Sequence, residues 1–429
     1  MKKEINKFLY FYRFLATVDI LNIPKLRFKD NNGNDYPQWE KKKLGDIGNI
    51  ISGGTPSSSN KEYWNGHINW FTPSEVGKTK FVSESIRKIT EKGLKNSSAK
   101  LLPKGTILLS SRATIGEKSI LLNSATTNQG FQSIITNNEA INEFIYYYID
   151  TLKSELIKQS SGSTFLEISN TILKKLKIYI PNLQEQEKIA NFLSTVDKKI
   201  ENLANTITSL ENQKKGLLQQ IFSQKLRFKD ENGNNYPNWE KKKLGDISDI
   251  TKLAGFEFTE YVTYQNHGNI IALRGLNIKN NKLDLSDVKY IDNSDFNKLS
   301  RSKLYINDLL FTYVGTIGEV ALINQNNKYY LAPNVCRIRP HECINAMYLL
   351  CLFNSNIIRK EINIYLTKSS QPALSMENIR KFKILVPCLE EQTKIADFLS
   401  AFDHKLENQK AQLEHWQQIK KGLLQQMFV

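Results

Sequence analysis

The 429-residue sequence has few of the features that mark secreted, membrane or metal-binding proteins. It contains only four cysteines, Cys336, Cys343, Cys351 and Cys388, and no CxxC pair, which excludes a disulfide framework or a zinc knuckle as the basis of the fold. The most apolar early stretch, residues 8–21, is interrupted by charge and is shorter than the ~20 apolar residues that a span needs. No signal-peptide cleavage site follows it. These absences favour a reducing cytoplasm and argue against a membrane.

Sequence motifs of catalysis are missing as well. There is no G-x-x-x-x-G-K-[ST] phosphate loop, no G-x-G-x-x-G after a predicted strand and no H-E-x-x-H metal spacing. The five histidines are scattered along the chain. We therefore predict no catalytic residue, no metal ligand and no cofactor bound by this chain, and we expect a binding function.

What the sequence does contain is positive charge. Lysine and arginine outnumber aspartate and glutamate by 59 to 43, for a formal net charge of +16. Such a field attracts polyanions, with nucleic acid first and an anionic membrane surface second. A basic protein with no polyanionic partner is the alternative that charge alone leaves open.

One peptide occurs twice. Residues 26–47 and 226–247 are identical at 19 of 22 positions, at a constant offset of 200. Each copy carries a tryptophan, Trp39 or Trp239, followed by a run of three lysines that ends at Lys43 or Lys243. Phosphate contact and a solvated linker are equally good interpretations of these runs. We favour a structural joint first, with phosphate contact as a secondary role.

A second repeat predicts two long helices. Residues 183–222 and 389–428 match at 21 of 40 positions, at an offset of 206. Asn182 is placed to cap the first helix, with Glu185 three residues further on. At ~1.5 Å per residue each helix would be roughly 60 Å long. Apolar residues at alternating spacings of four and three form a coiled-coil seam in each: Val196, Ile200, Leu203, Ile207, Leu210, Leu217 and Ile221, and then Phe402, Leu406, Leu413, Trp416, Leu423 and Met427. We expect the two seams to cover each other in an antiparallel pair.

The stretches between the repeats differ in residues but agree in pattern. Residues 48–180 and 248–386 both contain Thr-Ile-Gly-Glu, at Thr114 to Glu117 and at Thr316 to Glu319, between two predicted strands. Each stretch then ends in a short predicted helix and a strand before the long helix. The sequence therefore predicts one mixed α/β fold used twice with different surfaces. The fold class is α+β: two such domains separated by two long antiparallel coiled-coil helices, with pseudo-two-fold symmetry from an internal duplication.

The order of the repeats is circular. The first long helix leads directly into the second copy of the peptide, whereas the second long helix ends with the chain. We expect five segments: an N-terminal extension at 1–23, a mixed α/β domain at 24–181, a helix at 182–223, a second mixed α/β domain at 224–387 and a helix at 388–429. Residues 14–19 echo residues 192–197. A truncated third copy of the helix and a coincidence explain this echo equally well.

The whole plan resembles the specificity subunit of Type I restriction-modification systems. The residues that carry the resemblance are "LRFKD" and "WEKKKLGDI" in both openings, "KIA", "FLS" and "KKGLLQQ" in both helices, and the Thr-Ile-Gly-Glu turns. The resemblance covers Pro24 to Val429. It implies a non-catalytic subunit of a restriction and adenine-N6 methyltransferase complex, in which each recognition domain reads one half of a bipartite, asymmetric site in double-stranded DNA.

The resemblance also implies partners. The helical pair would set the half-site spacing and dock two modification subunits, which would bind S-adenosylmethionine, and restriction subunits using ATP and Mg²⁺ would join the complex. A coiled-coil scaffold and a self-contained DNA methyltransferase or nuclease are the alternative functions.

Two groups of residues are candidates for contacts. Polar loop residues suited to base or phosphate contact are Lys43, Arg112, Gln129, Ser161, Ser163, Thr164, Lys243, Arg274, Tyr313, Asn334, Lys368, Ser370 and Gln371. Apolar helix residues expected to bind the partner subunits are Phe192, Leu193, Leu217, Phe398, Leu399 and Leu423.

Overall fold

The structure is a computed structural model that describes residues 24–161, 166–366 and 372–428. The chain forms two compact units. The first takes its described residues from Met1–Leu203 and Gln412–Val429, and the second is Ala204–Ala411. This division runs through both long helices, so each unit contains the beginning of one helix and the end of the other. Among the described residues, no helix is long and apolar enough to cross a membrane.

The ten helices of the described residues are short except for two, α4 and α10, which correspond to the predicted pair. Their bounds are α1 (Glu91–Lys95), α2 (Asn142–Lys158), α3 (Asn170–Lys175), α4 (Leu183–Phe222), α5 (Leu244–Ile247), α6 (Gly255–Tyr261), α7 (Ala346–Phe353), α8 (Asn356–Tyr365), α9 (Met376–Arg380) and α10 (Leu389–Met427).

Ten strands lie in the first unit and eleven in the second, counted over the described residues. Those of the first unit are β1 (Glu40–Lys43), β2 (Gly48–Ser52), β3 (Trp64–Phe71), β4 (Phe81–Val82), β5 (Arg87–Ile89), β6 (Ile107–Leu109), β7 (Lys118–Leu121), β8 (Thr126–Thr127), β9 (Gln132–Thr136) and β10 (Lys177–Ile180). Those of the second are β11 (Glu240–Lys243), β12 (Ser248–Lys252), β13 (Ile271–Leu273), β14 (Ile278–Lys279), β15 (Lys282–Leu283), β16 (Lys289–Tyr290), β17 (Leu309–Thr312), β18 (Val320–Leu322), β19 (Tyr329–Leu331), β20 (Val335–Pro340) and β21 (Lys383–Val386).

The two units share one sheet plan. The first has a sheet in the order β2-β9-β6-β7-β4 and a second in the order β5-β3-β8. The other unit has β12-β20-β17-β18 and β16-β13-β19, which repeat these orders except that no strand takes the place of β4 among the described residues. A separate antiparallel pair, β1 with β10 or β11 with β21, closes each unit. The prediction of one mixed α/β fold used twice is confirmed.

Each unit contains a segment of α4 packed beside a segment of α10. In the first, Asp197 on α4 forms a 2.7 Å ion pair with Lys420 on α10. In the second, Lys214 on α4 pairs with Asp403 on α10, and Glu211 pairs with Lys410 at 2.7 Å. Residue numbers in the second unit rise along α4 as they fall along α10, so the predicted antiparallel direction is confirmed there.

The repeated peptide is a structural joint between its domain and the long helix. In the first unit Arg27 donates to both carboxylate oxygens of Glu185, at 2.9 and 2.6 Å, and the Trp39 indole N–H donates to the same carboxylate at 3.2 Å. Glu185 is fully buried, and its hydrogen bond raises the pKa of Arg27. Because charge-assisted bidentate bonds are strong and directional, this contact fixes the peptide on the helix.

The second unit repeats the joint residue for residue. Arg227 donates to the buried carboxylate of Glu391 at 3.1 and 2.7 Å, and Trp239 donates to it at 2.9 Å. The circular order is confirmed here. The Leu226 N–H bonds Gln220 at the end of α4 just before it, whereas the Leu26 N–H bonds Gln426 at the end of α10, 400 residues away in the sequence.

The helix ends complete the cores. Phe428 packs against Phe144 and Tyr148 in the first unit, with ring centroids 5.4 and 5.3 Å apart. Phe222 packs against Tyr348 in the second, at 5.8 Å. Both phenylalanines are buried, so apolar area on each helix end stabilises a domain as well as the helical pair.

Candidate nucleic-acid interface

The first Thr-Ile-Gly-Glu turn is held by backbone hydrogen bonds at the end of β6. The Ser110 N–H donates to Glu117 O at 2.8 Å, and the Gly116 N–H donates back to Ser110 O at 3.1 Å. Gly116 has φ +89°, a conformation that glycine adopts without the steric cost that a Cβ brings. The turn therefore presents Arg112, which lies between these bonds, in a fixed position.

Three of the candidate residues of the first unit meet at this turn. Arg112 forms a 2.8 Å ion pair with Glu167, and Glu167 exchanges two backbone hydrogen bonds with Ser161. The neighbouring Ser111 N–H donates to Gly130 O at 2.8 Å, which brings the exposed Gln129 beside the same turn. The Arg112 Nε is buried and has no hydrogen-bond partner among the described residues.

The second turn repeats this geometry. The Thr312 N–H donates to Glu319 O at 3.0 Å and the Gly318 N–H donates to Thr312 O at 3.1 Å, with Gly318 at φ +104°. These bonds match those of Ser110, Glu117 and Gly116 one for one. The two turns therefore occupy equivalent positions, although Val314 replaces Arg112 in the second.

Arg274 and Asn334 of the second unit line one open cleft of about 620 Å³. Thr316 and Glu319 of the turn form another part of its wall, together with Tyr264, Leu276 and Lys279. The Arg274 Nη2 donates to the backbone oxygen of Asp287 at 2.7 Å and lies 3.1 Å from its carboxylate. Its buried Nε has no partner among the described residues. Like Arg112, Arg274 is therefore oriented by a carboxylate.

Tyr313 does not offer its ring to this cleft. Only 8% of the residue is exposed, and burial raises the pKa of its hydroxyl. Its backbone N–H donates to Asn334 O at 3.2 Å and its carbonyl accepts from Leu374. The backbone of Tyr313 therefore supports Asn334, and the DNA contact of its own side chain stays a prediction.

Equivalent loops of the two units carry different chemistry. Thr72 follows β3, and its N–H is held by Glu75 at 2.8 Å. Arg274 follows β13, and its N–H is held by Asn277 at 3.1 Å. The first unit thus has the short hydroxyl side chain of Thr72 where the second has the long cationic side chain of Arg274, and both backbones are held in the same way.

The remaining candidates divide into two groups. Lys43 and Lys243 are exposed residues at the ends of strands β1 and β11. The lysine runs are therefore strands and not linkers. No hydrogen bond among the described residues connects Lys43 or Lys243 to the Thr-Ile-Gly-Glu turns. Five candidates, Ser163, Thr164, Lys368, Ser370 and Gln371, lie outside the described residues.

Sequence reasoning missed the carboxylates that orient the two arginines. Glu167 lies 55 positions from Arg112, and Asp287 lies 13 from Arg274, as their numbers show. It also missed Tyr264 and Lys279 in the cleft. No local signal marks these residues, because their roles arise from loop packing.

The candidate partner-binding residues differ in exposure. Leu193 and Leu399 are fully buried in the cores of their own units, so neither side chain offers surface to another subunit. Phe192 is 38% exposed and packs against Phe28 at 5.6 Å. Phe398 is half-buried and packs against Phe228 at 5.4 Å. Leu217 and Leu423 are also half-buried.

These features define a class of protein. It is a molecule of two duplicated domains that share one fold and carry different polar side chains on equivalent loops. A family model described as the Type I restriction modification DNA specificity domain matches the chain twice, at residues 36–212 and 236–415. The chain belongs to this family. Members are DNA-recognition subunits rather than the catalytic ones.

Individual relatives agree. The MjaIX specificity subunit of Methanocaldococcus jannaschii is 31% identical over 422 residues, which cover 92% of this chain and 94% of the relative. The EcoR124I/EcoR124II specificity subunit of Escherichia coli is 34% identical over 176 residues, 39% of this chain and 42% of the relative.

The fold is also shared with solved structures. The S subunit of a Type I system from M. genitalium has a TM-score of 0.56 at 18% identity, covering 95% of this chain and 99% of its own. A structure described as the basis of complex assembly and conformational transition of the Type I system has a TM-score of 0.59 at 15% identity, covering 92% and 98%.

Proposed function

We propose that this chain selects the DNA sequence for a Type I restriction-modification complex, with the first unit reading one half of a bipartite site and the second unit the other half. The observation that carries the proposal is the equivalence of the two Thr-Ile-Gly-Glu turns, whose hydrogen bonds match although the neighbouring side chains differ. A shared frame with unlike polar edges is what two unlike half-sites require, because base edges are read by side-chain donors and acceptors.

The proposed contacts follow the geometry. Arg112, Gln129 and Ser161 would contact the first half-site, and Arg274 and Asn334 the second. Lys43 and Lys243 would contact phosphates, which position a protein without reading sequence. We also propose that Ser163, Thr164, Lys368, Ser370 and Gln371 contact DNA. The recognition domains would comprise residues 24–181 and 224–387.

The helices would serve the rest of the complex. We propose that α4 and α10 set the gap between half-sites and dock two modification subunits through Phe192, Phe398, Leu217 and Leu423. S-adenosylmethionine would bind in those subunits, and ATP and Mg²⁺ in restriction subunits, all in the cytoplasm where host DNA lies. The relatives' names as specificity subunits and the description of one structural neighbour as part of complex assembly support a role for the chain in a Type I complex.

Exchange of one recognition domain tests the modular reading. Residues 48–180 are replaced by the corresponding segment of a relative with a different site, and the methylated motif is mapped after expression with the modification subunit. We expect one half of the motif to change while the other half and the gap stay the same. A change in both halves would contradict independent reading.

A second measurement tests for catalysis by the chain itself. The isolated chain is incubated with DNA and either S-adenosylmethionine or Mg²⁺. We expect salt-sensitive DNA binding and no turnover. Methylation or cleavage without any partner subunit would replace the proposal with a self-contained enzyme.

A further inference from the structure

Arg87 of the first unit lies against two tryptophans. Its guanidinium carbon is 3.7 Å from the ring centroid of Trp64 and 5.1 Å from that of Trp70. The two indoles meet edge to face, with centroids 5.0 Å apart and an interplanar angle of 87°. Tryptophan is the ring that attracts a cation best, so the two indoles hold the guanidinium in position.

The two indoles also hold a loop. The Trp70 indole N–H donates to Gly54 O at 2.9 Å, and the Trp64 indole N–H donates to Ser57 O at 3.1 Å. Thr55, which lies between these anchors, donates its hydroxyl hydrogen to the side chain of Gln129. The two tryptophans that hold Arg87 are therefore connected through this loop to Gln129, one of the residues proposed to contact the first half-site.

The charge of Arg87 is not compensated within the described residues. The residue is exposed, and among the described residues its guanidinium forms no ion pair and no hydrogen bond. Arg112 and Arg274, in contrast, are each bound by a carboxylate. The contact with the aromatic rings uses the face of the guanidinium. Its N–H groups, which point outward from its edge, remain available to hydrogen-bond another acceptor.

We propose that Arg87 reads a guanine in the half-site of the first unit by donating to its O6 and N7. This inference rests on the proposed function. A guanidinium edge matches these two acceptors, which is the commonest specific contact to DNA. Immobilisation on the tryptophans reduces the entropy lost when the contact forms. Lysine lacks the planar pair of donors, so Arg87→Lys as well as Arg87→Ala should read guanine less well than the wild type.

The corresponding place in the second unit has different chemistry. Arg87 pairs across the sheet with Trp70, and Lys289 pairs in the same way with Ala272. Lys289 has no indole beneath it at this place, and its ammonium group donates to the Asn266 side chain at 2.9 Å. The guanine contact therefore belongs to one half-site only.

The test uses the full chain in complex with its modification subunits and a DNA library randomised across both half-sites. Arg87→Ala and Arg87→Lys are compared with the wild type, and methylated sequences are counted. We expect the preference for guanine at one position of the first half-site to fall by about tenfold to a hundredfold in both variants. The second half-site should be unaffected. Lys88→Ala is the control, because Lys88 is on the same strand with its side chain on the opposite face.

The outcomes separate this inference from the function on which it rests. A wild-type complex that methylates no specific sequence removes the proposed function. A wild-type bipartite motif that stays unchanged in both variants removes the role of Arg87 alone. Weaker binding to all sequences, with a smaller dependence on salt and an unchanged motif, would make Arg87 a phosphate contact and overturn the reading of guanine. Arg87→Lys keeps the charge over the indoles, and its melting curve checks that the fold is retained.

Discussion

In the first unit the Lys118 ammonium lies inside the core, ion-paired with Asp150 and 4.4 Å from the centroid of the Tyr146 ring. The second unit has an apolar residue in place of the lysine, because Val320 pairs with Phe311 as Lys118 pairs with Leu109. One unit thus buries an ammonium group where the other packs hydrocarbon.

The joints show the opposite behaviour. Arg27, Trp39 and Glu185 of one unit and Arg227, Trp239 and Glu391 of the other make the same three hydrogen bonds. The duplicated chain has therefore kept the contacts that orient a domain on its helix, while interior and loop residues have diverged. A polar joint depends on bond directions, whereas a core tolerates any set of residues that fills its volume and satisfies its polar atoms.

The largest expected effect is loss of a joint. Glu185→Ala or Glu391→Ala leaves a half-buried arginine and a buried indole N–H without their shared acceptor, and each should lower the free energy of unfolding by about 3–5 kcal/mol. Urea unfolding of each variant measures this. Glu187→Ala and Thr393→Ala, at exposed positions two residues further along each helix, should change stability by less than about 0.5 kcal/mol. Clearly unequal losses in the two units would show that the joints are not energetically equivalent.

The core ion pair of the first unit gives the next effect. Asp150→Leu leaves the Lys118 ammonium buried without a counter-charge and should cost about 3 kcal/mol. The double change Lys118→Val with Asp150→Leu introduces the valine of the second unit and removes both charges, and it should return stability to the wild-type level or above it. A double-mutant cycle in urea measures the coupling. A double variant as unstable as the single one would mean that the charges are required by the fold.

The same pair has a pH signature. Burial lowers the pKa of Lys118, and Asp150 opposes this shift. A lysine whose folded pKa is below its unfolded value of ~10.4 adds stability as pH rises between the two values, because the unfolded state binds more protons there. This rise should be larger in Asp150→Leu and should vanish in the double variant. Unfolding measured from pH 7 to 10 checks the sign.

Much of the fold could be predicted because its signals are local. The seam of α4 and α10, the two turns and the circular order follow from spacing and repetition within short stretches. Glu185 shows the limit of such reasoning. Asn182 does cap α4, accepting from the Glu185 N–H at 2.9 Å, but the carboxylate of Glu185 bonds Arg27 rather than completing a capping box. That choice depends on a residue 158 positions away.

The candidate site was less predictable than the fold. Arg112, Gln129 and Ser161 were chosen separately from polar loops, and the structure brings them together. Tyr313 was chosen by the same criterion, yet its side chain is buried. Whether a loop side chain faces inward depends on φ/ψ angles and on the packing of neighbouring loops, and composition carries little information about either.

A smaller effect distinguishes the two loops that follow β2 and β12. A Cβ at Gly54 would overlap Ser98 and Ala99, whereas a Cβ at Gly255 would meet nothing within 4 Å among the described residues. Gly54→Ala should therefore cost about 1–3 kcal/mol through overpacking and disturb the bond from Trp70 to Gly54, while Gly255→Ala should be nearly neutral. Thermal melting compares them. Equal melting temperatures would show that the Gly54 loop moves without penalty.

The smallest effects concern thiol reactivity. All four cysteines lie between Ala204 and Ala411, so their reactivity reports on the second unit alone. Burial raises the pKa of the Cys351 thiol to about 12 and that of Cys336 further, whereas Cys343 is exposed. At pH 8 Cys343 should react at once and the two buried thiols only on opening of the second unit. Glu391→Ala should accelerate their labelling, and Glu185→Ala should leave it unchanged. If labelling accelerates equally in both variants, the two units unfold together as one cooperative body. The stabilities of the two joints could then not be compared separately.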